Sequence, residues 1–302
     1  MKTPVFTGAA TAIVTPFSDG KVDYKKLAEL IDFQIAGGIA AIVICGTTGE
    51  GSTLSLEEHT ATVDFGVKHV NSRVKVIAGT GSNDTQAALF LSQEAEKSGA
   101  DALLMVTPYY NKTTQRGLVK HYLFIADRVN IPIILYNVPS RTGMSFTADT
   151  YAELSKHPNI NGVKEASGNY KLISTTLASC GDNLYVWSGN DDDTVPLMSI
   201  GAKGVISTIG NIIPKKLAEV TKCCLDGDFA SAARFHLEYL DIMDKLFIEV
   251  NPMPVKAAMN LMGMEVGEPR MPLCELSPAN LEKLRSALAN YGLIQSADCK
   301  GI

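Results

Sequence analysis

Two residues that end neighbouring predicted strands could together make an imine with a carbonyl compound. Lys164 ends the apolar run 160–164, and Tyr136 ends the run 131–136. Strand alternation sends Lys164 and Glu165 to opposite faces, and an inward-pointing lysine loses hydration, which favours the neutral amine that attacks a carbonyl. A phenol beside it can carry protons to and from the carbinolamine. Taken alone, a strand-end lysine more often reaches solvent or pairs with a carboxylate, so its neighbours decide the interpretation.

A glycine-rich turn supplies what such a lysine needs nearby, a place for a carboxylate. The turn follows the run 40–45 and reads Gly46-Thr47-Thr48-Gly49-Glu50-Gly51. Its backbone N–H groups and the two threonine hydroxyls can hold an anion. Together with Lys164 and Tyr136, the turn indicates a Schiff-base enzyme that acts on a small 2-keto acid.

The strands and helices that must position these residues are predicted by one repeating pattern. Short apolar runs alternate with amphipathic segments, and each run predicts a strand: 9–15, 40–45, 74–78, 102–106, 131–136, 160–164, 184–187 and 204–208. Ser55-Leu-Glu-Glu58 and Asn83-Asp-Thr-Gln86 predict capping boxes that open helices. Strands buried on both faces are continuous apolar runs, so eight such units predict an α/β fold, a (β/α)8 TIM barrel. In that fold the chemistry lies at the carboxyl ends of the strands.

The last part of the chain predicts helices alone. We place the barrel at residues 1–224 and a C-terminal helical extension, packed on the barrel, at 225–302. The expected helices cover 229–250 and 254–262, and a third begins at Ser277-Pro278, a capping residue followed by proline in the first turn. No linker rich in glycine, serine or charge separates the two parts.

The ordered motifs of this chain have a close parallel in one enzyme family. They read Gly46-Thr-Thr-Gly-Glu50, Pro108-Tyr-Tyr-Asn111, Tyr136-Asn-Val-Pro-Ser-Arg-Thr142, Val163-Lys-Glu-Ala166 followed by Gly168, and Asn251-Pro-Met-Pro-Val-Lys256. In these motifs and over almost its whole length the chain resembles the 4-hydroxy-tetrahydrodipicolinate synthases, formerly called dihydrodipicolinate synthases, of the pyruvate-aldolase superfamily. The resemblance implies a cytoplasmic lyase of lysine biosynthesis by the diaminopimelate route, assembled as a homotetramer.

The resemblance also implies the catalytic residues. Lys164 would form the imine with pyruvate, and Tyr136 would donate and accept protons. Thr47 would link Tyr136 to Tyr110, which in the family enters from the neighbouring subunit. No metal and no organic cofactor is implied, because the lysine imine is itself the electron sink.

Four further residues are implied to bind the substrates. Thr48 would hold the pyruvate carboxylate, and Arg141 would bind the carboxylate of the second substrate, L-aspartate 4-semialdehyde, through its planar fork. Gly189 would leave room for the substrate. Ile206 would present its backbone carbonyl beside the imine.

Many family members are inhibited by L-lysine, which binds at the interface of a tight dimer. By resemblance this site is lined here by Ser52, Leu56, His59, Asn83, Ala87 and Tyr109. Strongly inhibited members carry histidine at the position of Leu56 and glutamate at that of Ala87. A tight site must supply acceptors for both ammonium groups of lysine. We therefore expect weak inhibition or none, and residual binding through the retained polar residues stays open.

Composition excludes several other classes of function. The formal charge is −5, and no run of Lys or Arg announces a nucleic-acid surface. The longest apolar stretch, 35–46, is far shorter than the about 20 residues that span a bilayer. The first residues lack a signal pattern, so a cytoplasmic protein is expected, and its six cysteines (45, 180, 223, 224, 274 and 299) are expected to be reduced packing residues.

Other candidate sites in the sequence have simpler explanations. Asp191-Asp192-Asp193 is expected to complement a helix dipole rather than to bind metal. The five histidines (59, 69, 121, 157 and 236) lack the HxH and HExxH spacings, and Gly79-Thr80-Gly81 lacks the third glycine of a dinucleotide fingerprint.

Two other functions are weighed against the synthase. One is an N-acetylneuraminate lyase or another 2-keto-acid aldolase. Arg141 disfavours it because a sugar-aldehyde site has little use for a guanidinium, and Thr48 within Gly-Thr-Thr-Gly fits the synthase better than the Ser-Thr version typical of the lyases. The other is a non-catalytic keto-acid sensor, which would be expected to lack Lys164 or Tyr136.

Overall fold

Eight parallel strands close into a barrel. The computed structural model describes residues 2–295. The barrel strands are β1 (Gly8–Ala12), β4 (Ala41–Ile44), β5 (Lys75–Gly79), β6 (Ala102–Val106), β7 (Ile133–Asn137), β8 (Ile160–Glu165), β9 (Tyr185–Ser188) and β10 (Gly204–Ser207). Each strand pairs with the next along the chain, and β10 pairs with β1 to close the ring. The TIM barrel expected from the sequence is confirmed.

Two apolar layers explain why these strands are continuous hydrophobic runs. Alternate side chains fill the barrel interior, where Trp187 stacks on Phe6 with ring centroids 5.1 Å apart. The other side chains pack outward against the helices. Both strand faces are therefore buried, and the apolar runs place every barrel strand within three residues of its observed ends. A short hairpin of β2 (Phe17–Ser18) and β3 (Lys21–Val22) was not expected from the sequence.

Helices surround the barrel between the strands. They are α1 (Tyr24–Ala36), α2 (Leu56–Val70), α3 (Thr85–Ser98), α4 (Gln115–Ala126), α5 (Pro139–Thr142), α6 (Ala148–Leu154), α7 (Tyr170–Cys180), α8 (Thr194–Ser199) and α9 (Pro214–Leu225). The capping box at Ser55 is present, with Glu58 as its partner. The second predicted box is wrong by one residue, because Asp84 rather than Asn83 caps α3 and accepts from the backbone of Gln86 and Ala87.

The extension consists of α10 (Phe229–Lys245), α11 (Met253–Leu261) and α12 (Pro278–Asn290). The first of these ends five residues earlier than the sequence predicts. Ser277 precedes α12, but its hydroxyl donates to Glu249 at 2.8 Å instead of capping the helix. These helices pack on one another and on α8 and α9. The division of the chain between residues 224 and 225 stays a prediction.

The cysteines agree in part with the expected packing role. Cys45, Cys180 and Cys224 are buried and Cys223 is half-buried, but Cys274 is exposed. Cys299 lies outside the described residues. No helix within residues 2–295 is both long and apolar enough to cross a bilayer.

Candidate active site

Lys164 and Tyr136 lie side by side at the carboxyl end of the barrel. They are register partners on β8 and β7. The Lys164 Nζ atom lies 4.4 Å from the centre of the Tyr136 ring, and both side chains are buried. They line one wall of a cavity of about 470 Å³ that also contains Thr47, Thr48 and Arg141. We refer to it below as the lysine cavity.

The neighbour of Lys164 on its strand points the other way, as strand alternation predicts. Glu165 is buried and accepts hydrogen bonds from Asn137 Nδ2 at 3.0 Å and Tyr151 Oη at 2.9 Å. The backbone N–H of Ser167 donates to the same carboxylate at 3.0 Å. Burial raises the pKa of Glu165, whereas these hydrogen bonds oppose the shift. This network fixes the ends of β7 and β8 and therefore the two side chains that face the lysine cavity.

The turn 46–51 presents unused hydrogen-bond donors to the lysine cavity. The turn is closed by Glu50 N donating to Thr47 O at 3.1 Å and Gly51 N donating to Gly46 O at 3.2 Å. A Cβ on Gly51 would lie 2.2 Å from the Cys45 carbonyl oxygen, so this turn needs glycine there. Within residues 2–295, the backbone N–H groups of Thr47 and Thr48 donate to no protein acceptor. These groups are free to bind an anion.

Arg141 approaches the lysine cavity from the short helix α5. One of its nitrogens, Nη2, donates to the carbonyl oxygen of Asn251 at 3.0 Å. The side chain is otherwise exposed and lines the cavity, so the rest of its fork can receive a carboxylate.

Gly189 lies against the aliphatic chain of Lys164. A Cβ there would come within 2.7 Å of Ala166 Cβ and 3.1 Å of Lys164 Cε. Glycine at this position therefore leaves room for the Lys164 side chain. The side chain of Ile206 is buried in the barrel interior, and Thr208, two residues later, lines the lysine cavity.

A second cavity, of about 380 Å³, adjoins the first. The two share Thr47, Tyr136, Val138 and Arg141. Most of the residues expected at a lysine-effector site line this second cavity: Ser52, Leu56, His59, Ala87 and Tyr109. Asn83 does not line it, although its carbonyl accepts from Asn111 Nδ2 at 3.0 Å.

Two of the expected residues have unexpected surroundings. His59 is buried, and its Nε2 lies 2.8 Å from the carbonyl oxygen of Gly79, so this nitrogen carries the hydrogen of the neutral ring. Burial lowers the pKa of His59. Tyr110 lines neither cavity; it is 90% exposed and has a positive φ of 67°. Within this chain Tyr110 is not assembled with Thr47 and Tyr136.

The sequence reasoning did not assign the residues that hold the turn 46–51 from outside the barrel. Lys256, on α11, donates to Glu50 Oε1 at 2.8 Å, and both side chains are fully buried. The backbone N–H of Arg270 donates to the other Glu50 oxygen at 2.8 Å. The Arg270 guanidinium also pairs with Glu58 at 2.7 Å, and this hydrogen bond lowers the pKa of Glu58 to about 2. The sequence did offer a signal for this contact: Glu50 belongs to the motif 46–50, and Asn251 and Lys256 belong to the motif 251–256.

The acidic run 191–193 meets the prediction only in part, since Asp193 is the N-cap residue of α8. All three residues precede α8, whose first turn contains no acidic residue. Asp191 is buried and accepts from the backbone N–H groups of Thr208 and Ile209 at 3.1 and 2.8 Å. Burial raises the pKa of Asp191. In residues 2–295 no group of three or more His, Cys, Asp or Glu side chains could hold a metal ion.

Comparison with known proteins agrees with this geometry. The model of the dihydrodipicolinate synthetase family matches residues 5–291. A protein of Acetivibrio thermocellus named 4-hydroxy-tetrahydrodipicolinate synthase is 52% identical over 294 residues, which is 97% of this chain and all of the relative. The crystal structure of dihydrodipicolinate synthase from Aquifex aeolicus superposes with a TM-score of 0.94 at 46% identity, covering 95% of this chain and 99% of that one.

A second similar structure is that of dihydrodipicolinate synthase from Cyanidioschyzon merolae with lysine bound. It has a TM-score of 0.94 at 36% identity and covers 97% of this chain and all of its own. The family model and the full-length relatives lead to one assignment. This chain belongs to the dihydrodipicolinate synthetase family.

Proposed function

We propose that this chain condenses pyruvate with L-aspartate 4-semialdehyde to give 4-hydroxy-tetrahydrodipicolinate, in the diaminopimelate route to lysine. The observation that carries the proposal is the position of Lys164 Nζ, 4.4 Å from the ring of Tyr136 in a cavity that also holds Thr48 and Arg141. The condensation of two carboxylate substrates requires a nucleophile, a proton carrier and two groups that bind carboxylates. Lys164, Tyr136, Thr48 and Arg141 supply them in that order.

The first half of the reaction forms an enamine. The Lys164 amine adds to the pyruvate carbonyl, and Tyr136 passes a proton to the carbinolamine hydroxyl, which leaves as water. Thr48, with its free N–H and its hydroxyl, holds the pyruvate carboxylate. Tyr136, which has given up its proton in that step, then takes a methyl proton from the imine, and the lysine nitrogen accepts the electron pair. Thr47, which lines both cavities together with Tyr136, relays protons between Tyr136 and Tyr110 of a neighbouring subunit.

The second half forms the ring. The enamine carbon attacks the aldehyde, and the aldehyde oxygen takes up a proton to become the 4-hydroxyl group. The substrate amine then attacks the imine carbon and displaces Lys164 as the free amine. Arg141 binds the carboxylate of the semialdehyde, Gly189 leaves space for it, and the carbonyl of Ile206 faces the reacting nitrogen.

We also infer a homotetramer in the cytoplasm, a dimer of dimers. The exposed Tyr110 supports one interface, since an aromatic side chain that leaves its own subunit is available to a partner's site. Exposed apolar side chains on α7, directly after α8 and on α10 support another interface: Tyr170, Ile200 and Leu237.

The residues of the second cavity are proposed as a degenerate lysine site. Ser52, His59 and Tyr109 bring polar groups to it, Asn83 follows the lining residue Ser82, and Leu56 and Ala87 line it with carbon. Among residues 2–295 no carboxylate lines the cavity to meet an ammonium group, so lysine should bind weakly.

The test is turnover by the purified protein. Pyruvate and L-aspartate 4-semialdehyde should be consumed in equal amounts, as followed by proton NMR, and Lys164→Ala should reduce the rate to background. Lys203→Ala is the matched control, since Lys203 also lies over a tyrosine, with its Nζ 5.6 Å from the ring of Tyr185, away from the cavity. It should retain the wild-type rate. Consumption of pyruvate with N-acetylmannosamine, and none with the semialdehyde, would contradict the proposal.

A further inference from the structure

Asn251 joins the extension to both carboxylate binders of the lysine cavity. Its side-chain Nδ2 lies 3.0 Å from Thr48 Oγ1, and its backbone oxygen lies 3.0 Å from Arg141 Nη2. Asn251 is 5% exposed and Thr48 is 3% exposed, so water competes little for the bond between them. One residue that follows α10 thus contacts two side chains that come from different strand ends of the barrel.

The direction of the bond to Thr48 matters more than its length. An amide nitrogen only donates, so Thr48 Oγ1 accepts from Asn251. A hydroxyl carries a single hydrogen, and the bond from Asn251 leaves that hydrogen free. Thr48 lines the lysine cavity, so its hydroxyl hydrogen is available to an anion there. The Asn251 Oδ1 atom is buried and has no hydrogen-bond partner within residues 2–295. Among these residues the bond from Nδ2 to Thr48 is therefore the hydrogen bond that holds the amide side chain.

We propose that Asn251 is a positioning residue: its side chain turns the Thr48 hydroxyl hydrogen toward the pyruvate carboxylate, and its backbone oxygen fixes one edge of the Arg141 fork. The proposal rests on the function proposed above. Asn251 thereby sets the distance between the two carboxylate binders, and through them it matches the site to two carboxylate substrates at once.

The rest of the extension holds Asn251 firmly enough for this role. Lys256, five residues later, forms its buried ion pair with Glu50, two residues after Thr48. The segment 251–256 therefore contacts the turn 46–51 through two side-chain interactions, Asn251 with Thr48 and Lys256 with Glu50. A group that must orient a hydroxyl needs such support, because small displacements weaken hydrogen bonds steeply.

The sharpest test is Asn251→Asp, which keeps the shape and the backbone contact but replaces the donor by an acceptor. The Thr48 hydroxyl should then donate to the new carboxylate, which also repels the carboxylate of pyruvate. The dissociation constant for pyruvate should rise about 10- to 150-fold, the range for one lost charge-assisted hydrogen bond. It is measured by borohydride trapping on Lys164 at increasing pyruvate concentrations, without the semialdehyde. An affinity within twofold of the wild type would overturn the proposal.

A second pair of variants separates orientation from general packing. If Asn251 acts through the Thr48 hydroxyl, Asn251→Ala should weaken pyruvate binding in the wild type but change it less than twofold in a Thr48→Val background. An equal loss in both backgrounds would contradict the proposal.

The matched control is Asn260→Ala, which removes another amide of the extension. Its Nδ2 donates to Gly267 O at 3.1 Å, and its Oδ1 accepts from Val266 N at 2.8 Å, outside the lysine cavity. Its pyruvate affinity should stay within twofold of the wild type. Failure of the wild type itself to trap pyruvate would instead reject the proposed function, so the two failures are distinguishable.

Discussion

Replacing Lys256 by methionine should cost more stability than any exposed lysine substitution in this chain. The Lys256 ammonium makes three hydrogen bonds: to Glu50 Oε1 at 2.8 Å, to Thr15 O at 3.1 Å and to Glu268 O at 3.1 Å. Methionine keeps most of the volume but removes the charge and all three donors. Glu50 then retains the N–H of Arg270 as a partner, at 2.8 Å, and remains a buried carboxylate without its counter-ion.

The size of the effect follows from the burial of the pair. Both side chains have zero exposure, so the screening that makes surface ion pairs weak is absent. Breaking such a pair by removing one partner costs about 3–5 kcal/mol, because the remaining charge is left uncompensated. In domains of about 150–250 residues, each kcal/mol of lost stability lowers the melting temperature by about 2–4 °C. The Lys256→Met protein should therefore melt about 6–20 °C below the wild type.

The assay is thermal unfolding followed by circular dichroism at pH 7. Lys216→Met is the matched control, since the Lys216–Glu219 pair is about half exposed on both sides, at 52% and 49%, and it should change stability by less than about 0.5 kcal/mol. Adding Glu50→Gln to Lys256→Met should recover part of the loss by removing the uncompensated charge. A Lys256→Met protein that melts within 2 °C of the Lys216→Met control, on the scale of about 2–4 °C per kcal/mol, would refute the reasoning.

Three further predictions concern the site. Arg141→Ala should lower kcat/KM for the semialdehyde about 10- to 150-fold while leaving pyruvate trapping largely intact, since its fork binds the second carboxylate; equal loss of trapping would count against this. Tyr110→Phe subunits mixed with Lys164→Ala subunits should regain part of the activity if Tyr110 serves a neighbour, and no recovery despite verified mixing would exclude a shared site. Millimolar L-lysine should inhibit weakly or not at all, and Leu56→His with Ala87→Glu should strengthen its binding in calorimetry; tight, cooperative inhibition of the wild type in the micromolar range would show this prediction to be wrong.

Local pattern predicts the barrel well because each βα unit is specified by nearby residues. The run 102–106 matches β6 at both ends, and the box at Ser55 opens α2 as expected. The prediction fails by one residue at Asn83, because asparagine and aspartate are equally good N-cap residues and the helix begins after Asp84. It also misses the hairpin of β2 and β3, whose strands are too short to produce an alternating pattern.

The site is predictable where single residues carry the chemistry and not where distant segments meet. Lys164 and Tyr136 end adjacent strands, so their pairing follows from the barrel. The contact of Asn251 with Thr48 spans 203 positions of sequence, and no periodicity encodes it. The same holds for Asp191, which bonds to backbone at positions 208 and 209 rather than serving the helix that follows it.

The most direct test of the central claim is to trap the imine on Lys164. The protein is incubated with pyruvate and borohydride and then digested, and the peptides are analysed by mass spectrometry. The account predicts a reduced pyruvyl adduct on the peptide that contains Lys164, its absence from Lys164→Ala, and loss of activity in step with labelling. An adduct on another lysine, such as Lys256 or Lys203, or no adduct at all in a protein that still consumes both substrates, would contradict it.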